Sequence, residues 1–206
     1  MGLRTDLLSI WKDPVGSNII ALVVVTVAGV LIAVFRRYWL NLWRALRGTP
    51  KTLVFLSSGG TCRDPMAKAI TNKLLETRML KHPINVRALA VGPLSGSAAS
   101  YAARYVIKEI CGEDLLADHR PQQLTAELVG EADLILAMNK LLINEKTMPL
   151  AKTHSFKEFF GLDHDVADPY PDGMDAITLE RYRKCANELR QVLTQNFDRL
   201  VQVLDL

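Results

Sequence analysis

The stretch VFLSSGGTCRDPMAKA, from Val54 to Ala69, carries the clearest structural signal in the chain. It begins within an apolar, β-branched run over 52–57, which is typical of a strand buried on both faces, and then turns through two glycines. Pro65 follows where the first turn of a helix tolerates a missing N–H group, and apolar residues continue at helical spacing. Backbone N–H groups in such a turn converge on an anion, and the guanidinium of Arg63 fits two phosphate oxygens. The stretch therefore predicts a strand, a phosphate-binding loop and a helix.

Strand and helix patterns alternate through the rest of the C-terminal region. INVRALAVG (84–92) reads as a second strand, and SAASYAARYVIKEIC (97–111) as a second helix. A third strand is predicted from Leu134 to Met138, a fourth near Leu150 to His154, and a long closing helix from Thr178 to Val203. This alternation predicts an α/β domain with a four-stranded parallel sheet flanked by helices.

An uncharged apolar run, IIALVVVTVAGVLIAVF, occupies residues 19–35. As a helix it would measure roughly 26 Å, which nearly spans the hydrocarbon core of a bilayer. We therefore predict a short N-terminal segment over 1–17, a transmembrane helix over 18–36, a basic and aromatic juxtamembrane linker over 37–50, and one domain over 51–206. A buried core helix and a cleaved signal peptide are the alternatives. The signal peptide is disfavoured because basic and aromatic residues, not small ones, follow the run.

Charge and cysteine usage predict the orientation of that span. Basic residues cluster after the apolar run, so the positive-inside rule predicts a single-pass protein in the lipid bilayer whose soluble domain faces the cytoplasm. Three cysteines, an odd and small number, fit a reducing compartment. The sequence predicts no nucleic-acid partner, and it predicts no oligomeric state. The basic cluster comprises Arg36, Arg37, Arg44, Arg47 and Lys51.

The loop motif resembles the signature of the low-molecular-weight protein-tyrosine phosphatases. The segments DHRPQQLTAELVGEADLILAM (118–138) and ADPYP (167–171) also resemble segments of that family, in the same order and with the same spacing. The resemblance therefore covers almost all of 51–206. It implies a flavodoxin-like three-layer fold with a four-stranded parallel sheet. Six loop and helix positions match the family pattern: Gly59, Cys62, Arg63, Pro65, Met66 and Ala67.

The resemblance also implies a role for each residue of the site. Ser57 takes the position of the nucleophile, Asp168 that of the general acid, and Tyr170 that of an aromatic wall of the cleft. His119 and Arg120 are assigned to structure or to hydrogen bonding with the loop. The implied partner is a phosphorylated protein or another phosphomonoester, bound weakly, and neither a metal nor a cofactor is expected. The implied phosphate-binding residues are Ser58, Gly59, Gly60, Thr61, Cys62 and Arg63.

Three positions in the loop depart from the family pattern. Ser57 replaces the nucleophilic cysteine, Gly60 replaces an asparagine that braces the loop, and Asp64 replaces a serine. A hydroxyl is far less ionised than a thiol near neutrality and needs a base to attack phosphorus. A carboxylate at position 64 opposes the charge of phosphate by roughly 3 kcal/mol at about 5 Å and an effective dielectric of about 20. Three coordinated changes favour natural divergence over an engineered substrate trap.

The sequence therefore predicts a membrane-anchored phosphatase-like protein with weak or lost catalysis. One alternative is a catalytically silent module that binds an anion or a protein at the membrane. A second is a serine hydrolase in which Asp64 accepts the proton of Ser57. Arsenate reduction on the same fold is disfavoured because Cys111 and Cys185 do not form the close pair that a disulfide relay needs. The first turn also lacks the glycine spacing of a dinucleotide-binding loop.

Overall fold

The computed structural model describes residues 50–205 apart from 79, 81, 94 and 95, together with positions 25, 26, 29, 31, 32 and 35. The chain divides into two compact units, Met1–Gly48 and Thr49–Leu206. The elements and the site described below belong to the second unit.

The structure contradicts the predicted membrane location. In the part of the chain that the structure describes, no helix is both long enough and apolar enough to cross a membrane. A crossing helix needs about 20 consecutive apolar residues. Six positions of the predicted span 18–36 are described, all of them helical, and the rest of the span, like the segments 1–17 and 37–49, lies outside the described residues. The predicted single-pass location, with a domain facing the cytoplasm, is corrected accordingly.

Among the described residues, five parallel strands form the sheet: β1 Lys51–Ser57, β2 Ile84–Ala90, β3 Gln122–Gln123, β4 Leu134–Ala137 and β5 Thr153–Ser155. Their order across the sheet is β3-β2-β1-β4-β5. The four-stranded prediction missed β3, a two-residue strand that pairs Leu89 with Gln122 and Ala90 with Gln123. Both glutamines are exposed, so this strand has no apolar pattern that a sequence could reveal.

Helices cover both faces of the sheet. The predicted closing helix is two helices, because Asn196 ends the first and its side-chain amide donates to the carbonyl of Val192 at 2.9 Å. A 3₁₀ turn at Lys140–Leu142 follows β4. The helices are α1 Arg63–Glu76, α2 Tyr101–Cys111, α3 Ala126–Glu131, α4 Phe156–Phe160, α5 Ala176–Gln195 and α6 Phe197–Leu204.

The central strand β1 supplies both cores through the alternation of its side chains. Leu53 and Phe55 pack into the larger core, with α1, α2 and α5, while Val54 and Leu56 pack into the smaller one on the other face. All four side chains are fully buried, which stabilises the fold by about 1.5–3 kcal/mol for each. The uninterrupted apolar run in the sequence thus reflects a strand covered on both faces.

The strand order places the loop after β1 at a reversal of the chain. From β1 the chain builds β2 and β3 on one side, and then returns to build β4 and β5 on the other. Crevices at the carboxyl ends of parallel strands, where the order reverses, are the usual ligand sites of open α/β sheets. Ser57, the last residue of β1, lies at this crevice.

Candidate active site

The loop between β1 and α1 presents free N–H groups to the crevice. Its carbonyl groups accept hydrogen bonds from the surrounding chain, whereas the N–H groups of Ser58, Gly59, Thr61 and Cys62 have no acceptor among the described residues. Cys62 is the N-cap of α1 and its side chain makes no capping bond, so the helix end also leaves donors available. Such a concave set of donors suits an anion. The carbonyl contacts are Val91 N to Ser57 O at 3.0 Å, Gly92 N to Ser58 O at 2.9 Å and Ser100 N to Thr61 O at 3.0 Å.

Gly60 is the residue on which the loop conformation depends. Its φ is +77°, and a Cβ atom there would lie 2.8 Å from the Cβ of Pro121 and 3.1 Å from the Cβ of Ala90. Its carbonyl accepts a 2.8 Å hydrogen bond from Nε2 of His119, and its N–H donates to Oγ of Ser57 at 3.0 Å. The sequence predicted that Gly60 deprives the loop of a bracing side chain. In the structure, neighbouring residues fill the space that such a side chain would take, so Gly60 has a different role. His119 has the loop-bonding role expected of it.

Ser57 and Asp64 form a buried pair beneath the loop. Oγ of Ser57 donates to Oδ1 of Asp64 at 2.6 Å, and the two residues are 4% and 0% exposed. Burial raises the pKa of Asp64 from 3.8 to about 7, although the hydrogen bond from Ser57 and the charge of Arg63 act in the opposite direction. The second oxygen, Oδ2, has no hydrogen-bond partner among the described residues. The pair has the geometry of a hydroxyl next to a base.

Arg63 and Asp168 form an ion pair at the edge of the crevice. Nη2 of Arg63 donates to Oδ2 of Asp168 at 2.6 Å, and Nη1 donates to the carbonyl of Val166 at 3.3 Å. The guanidinium is nearly buried, whereas the carboxylate is about half exposed. The other oxygen of Asp168 accepts from the N–H of Tyr170 at 3.2 Å. The fold thus brings the predicted acid to the loop from 105 residues further along the chain.

A cleft of about 740 Å³ joins these groups. Tyr170 lines it with a side chain that is 71% exposed. Val91, Gly92 and Leu142 also line the cleft, and sequence reasoning missed them. They follow β2 and β4. Their position after parallel strands was therefore the sequence signal that could have identified them as cleft residues. Asp64 lies behind the lining. Every residue predicted to bind phosphate lines the cleft: Ser58, Gly59, Gly60, Thr61, Cys62 and Arg63.

The segment that carries Asp168 is tied to two helices. The carboxylate of Asp172 accepts from the N–H groups of Tyr101 and Ala102 at 2.9 and 3.0 Å, which caps α2. Arg181, on α5, donates to the carbonyl of Tyr170 at 3.3 Å. These contacts hold Asp168 near the loop without contacting the crevice.

The three cysteines are free, and only Cys62 lines the cleft. Its Sγ lies 3.1 Å from the hydroxyl of Tyr182. Burial raises the pKa of Cys111, and it raises that of Cys185 to about 12, so both thiols stay protonated near neutrality. Among the described residues, no three His, Cys, Asp or Glu side chains are arranged to hold a metal ion.

Comparisons with known proteins agree with this architecture. The model of the family described as low molecular weight phosphotyrosine protein phosphatase matches residues 52–204. A protein-arginine-phosphatase of Geobacillus stearothermophilus is 36% identical over 161 residues, which are 75% of this chain and 97% of that protein. The probable low molecular weight protein-tyrosine-phosphatase EpsP of Ralstonia nicotianae is 36% identical over 129 residues, covering 62% of this chain and 83% of its own length.

Solved structures show the same fold. The low molecular weight protein tyrosine phosphatase from T. tengcongensis aligns with a TM-score of 0.63 and 34% identity, over 72% of this chain and 99% of its own. A cysteine-to-serine mutant of the YwlE arginine phosphatase, solved with a phosphorylated active-site serine, aligns with a TM-score of 0.63 and 30% identity. That alignment covers 72% of this chain and 95% of the mutant.

Proposed function

Because the chain belongs to the low molecular weight phosphotyrosine protein phosphatase family, we propose that its domain over 51–206 binds a phosphorylated protein side chain and transfers the phosphoryl group slowly to Ser57. The observation that carries the proposal is the 2.6 Å hydrogen bond from Oγ of Ser57 to Oδ1 of the buried Asp64. A hydroxyl becomes a useful nucleophile when an adjacent base takes its proton. Asp64 thereby supplies what the replacement of cysteine by serine removes.

Binding requires Arg63 to exchange one partner for another. In the structure its Nη2 donates to Asp168. A bound phosphate would accept from this guanidinium and from the free N–H groups of the loop, which together surround three oxygens. Release from Arg63 leaves Asp168 able to face the leaving group, with Tyr170 beside it in the cleft wall.

The first half of the reaction forms a phosphoserine. Oγ of Ser57 attacks phosphorus and its proton passes to Oδ1 of Asp64, while the bond from phosphorus to the leaving atom breaks. Asp168, protonated, gives its proton to that atom. In the second half a water attacks the phosphoserine and gives a proton to Asp168, and Oγ recovers its proton from Asp64. Inorganic phosphate then leaves.

Asp64 explains why the proposed turnover is slow. The carboxyl group must be ionised to act as a base, and its pKa of about 7 leaves it partly protonated near neutrality. Once ionised, it repels the phosphate that Arg63 attracts, by roughly 3 kcal/mol at about 5 Å. The same side chain thus assists attack and weakens binding.

The comparisons support serine as an acceptor and indicate two substrate classes. In the YwlE mutant the active-site serine is phosphorylated, so a serine on this fold can hold a phosphoryl group. Relatives are named as protein-arginine and as protein-tyrosine phosphatases. We extend both classes to this chain as substrates to be tested, since the apolar side chains of Val91, Leu142 and Tyr170 can contact an aryl ring or an aliphatic stem.

A catalytically silent binding module is the second candidate function. The ion pair between Arg63 and Asp168 favours it, because Asp168 already binds the guanidinium that phosphate needs. In that case the loop would bind phosphorylated side chains weakly and release them unchanged.

Phosphoserine formation separates the two candidates. The full chain is incubated with phosphoarginine and phosphotyrosine peptides, and intact and fragment masses are recorded over time. We expect one phosphoryl group, on Ser57, absent in Ser57→Ala and slower to form in Asp64→Asn. Asp198→Asn is the matched control, since that carboxylate is 93% exposed and lies outside the cleft lining. Binding of the peptides without any label on Ser57 would leave the silent module as the function.

A further inference from the structure

A second cavity, separate from the cleft lining, lies beside α1 and the edge formed by β2 and β3. It measures about 420 Å³ and we refer to it as the cationic groove. Polar side chains dominate its lining, including the three cations Lys68, Arg87 and Arg120, the amides Asn85 and Gln122, and the ring of His119. Cavities of this size commonly accommodate a small organic molecule.

In the part of the chain that the structure describes, two of the three cations lack an acidic partner. Arg87 lies 3.4 Å from a carboxylate oxygen of Glu131, whereas Lys68 and Arg120 have no carboxylate within ion-pair distance among the described residues. The groove has one acid in its lining, the exposed Asp118. The lining therefore carries a net positive charge, which favours an anionic ligand.

The two unpaired cations line the cationic groove together with His119. Nη1 of Arg120 donates to the carbonyl of His119 at 2.8 Å, which orients the guanidinium next to that residue. Burial lowers the pKa of His119, and the charges of Lys68 and Arg120 lower it further, so both cations act on the same ring. A guanidinium and an ammonium that line the same groove are suited to a phosphate group.

We propose that the cationic groove binds a small organic phosphate, with its phosphate on Lys68 and Arg120 and its polar body against the amides of Asn85 and Gln122. This inference does not rest on the proposed function, because it concerns a different set of side chains and requires no chemistry at Ser57.

The groove is linked to the cleft through one hydrogen-bonded path. Nε2 of His119 donates to the carbonyl of Gly60, and the N–H of Gly60 donates to Oγ of Ser57. A bound phosphate favours the charged form of His119, which donates a stronger hydrogen bond to Gly60. Occupation of the groove thereby stiffens the loop that faces the cleft.

Titration of the full chain with adenosine monophosphate tests the proposal. Affinity is measured by calorimetry, and the side-chain amide resonances of Asn85 and Gln122 are followed by NMR to locate the ligand. We expect both resonances to shift, and Lys68→Gln with Arg120→Gln to weaken binding at least about tenfold, since each removes a charged hydrogen bond. Lys184→Gln, an exposed cation on α5 outside the groove lining, is the matched control and keeps the affinity.

Each outcome bears on the proposal. If the nucleotide binds but the amide resonances stay fixed and the double variant binds as tightly as the native chain, the ligand occupies the cleft and the groove site is wrong. Absence of binding at millimolar nucleotide also overturns it. A shift of the Gly60 amide on binding that is lost in His119→Ala supports the link to the loop, and a Gly60 amide that stays fixed while the groove binds the nucleotide overturns that link. Phosphoserine formation on Ser57 is measured separately, so failure of either proposal leaves the other to its own test.

Discussion

Two side-chain pairs, each with one carboxyl group, flank the cleft. They differ in burial and in how far apart their members lie along the chain. Ser57 and Asp64 lie seven residues apart and are buried beneath the loop, where the carboxyl pKa rises to about 7. Arg63 and Asp168 are brought together across 105 residues, and their carboxylate is about half exposed to solvent. A carboxyl group that burial keeps partly protonated can exchange a proton near neutrality, while one beside a guanidinium and water can leave its ion pair when phosphate binds and then serve as the acid of the proposed reaction. The environment, rather than the residue type, separates their roles.

The largest expected effect concerns the buried pair and the stability of the fold. The unfolded chain ionises Asp64 near its ordinary pKa of 3.8, but the folded chain holds the proton until about 7. The folded state therefore binds more protons in this range, and the free energy of unfolding falls as the pH rises from about 4 to 7, by about 4 kcal/mol for this group. Asp64→Asn should remove this contribution. Urea unfolding at several pH values measures it.

The exposed carboxylate of Asp198 provides the comparison for that measurement. Asp198→Asn should keep the native pH profile. A profile in Asp64→Asn that is parallel to the native one would mean that burial does not raise this pKa.

The second prediction concerns the edge pair and anion binding. Replacing Arg63 by alanine removes two charged hydrogen bonds to phosphate, so we expect phosphate affinity to fall by about 100-fold. Arg63→Lys should recover only part of it, because an ammonium cannot form the planar fork. Calorimetry with phosphate measures the loss, with circular dichroism as a check of folding.

Arg183→Ala is the control for this change, because Arg183 forms a similar ion pair with Glu109 at 2.9 Å outside the cleft. It should leave phosphate affinity as in the native chain. Equal binding by Arg63→Ala and the native chain would show that the loop amides alone hold the anion.

The third prediction tests whether an asparagine braces the loop. Gly60→Asn introduces a Cβ 2.8 Å from that of Pro121, and overpacking of this kind lowers the free energy of unfolding by about 2 kcal/mol. The variant should therefore reduce, not restore, phosphate binding, also when combined with Ser57→Cys and Asp64→Ser. Denaturant unfolding and calorimetry provide the two measurements.

Gly112 is the matched position, because its φ is +82° and a Cβ there would contact nothing within 4 Å. Gly112→Asn should lower stability less than Gly60→Asn. Similar losses at the two positions would attribute the effect to the positive φ and not to Pro121.

The smallest expected effect concerns the support of Asp168. Asp172→Ala removes the cap of α2, which should lower the free energy of unfolding by about 1 kcal/mol. It also frees the segment that carries Asp168, so phosphoserine formation on Ser57 should slow while phosphate affinity changes little. Thr125→Ala removes the cap of α3 instead, and should lower stability without slowing that step. Equal rates in both variants would assign Asp172 to stability alone.

Local sequence was sufficient for the elements whose signal lies within a few residues. The apolar run over 52–57, the two glycines and Pro65 specify a buried strand, a tight turn and a helix start, and the structure has each of them there. The family resemblance added Asp168 and Tyr170 to the cleft, as lining residues, before any distance was known. The apolar run over 19–35 shows the limit of such patterns, since the membrane location predicted from it is contradicted: among the described residues no helix is long and apolar enough to cross a membrane.

By itself, then, the sequence determined the order of the four apolar strands, the helices that follow the first two of them and the donor groups of the loop, because periodicity, glycine conformation and helix-start chemistry act over short distances. Tertiary structure alone decided three further features. It raised the pKa of Asp64 through burial, paired Arg63 with Asp168, and filled the space beside Gly60 with Pro121. Each depends on atoms that the fold brings together from distant parts of the chain, and neither desolvation nor steric contact can be read from neighbouring residues.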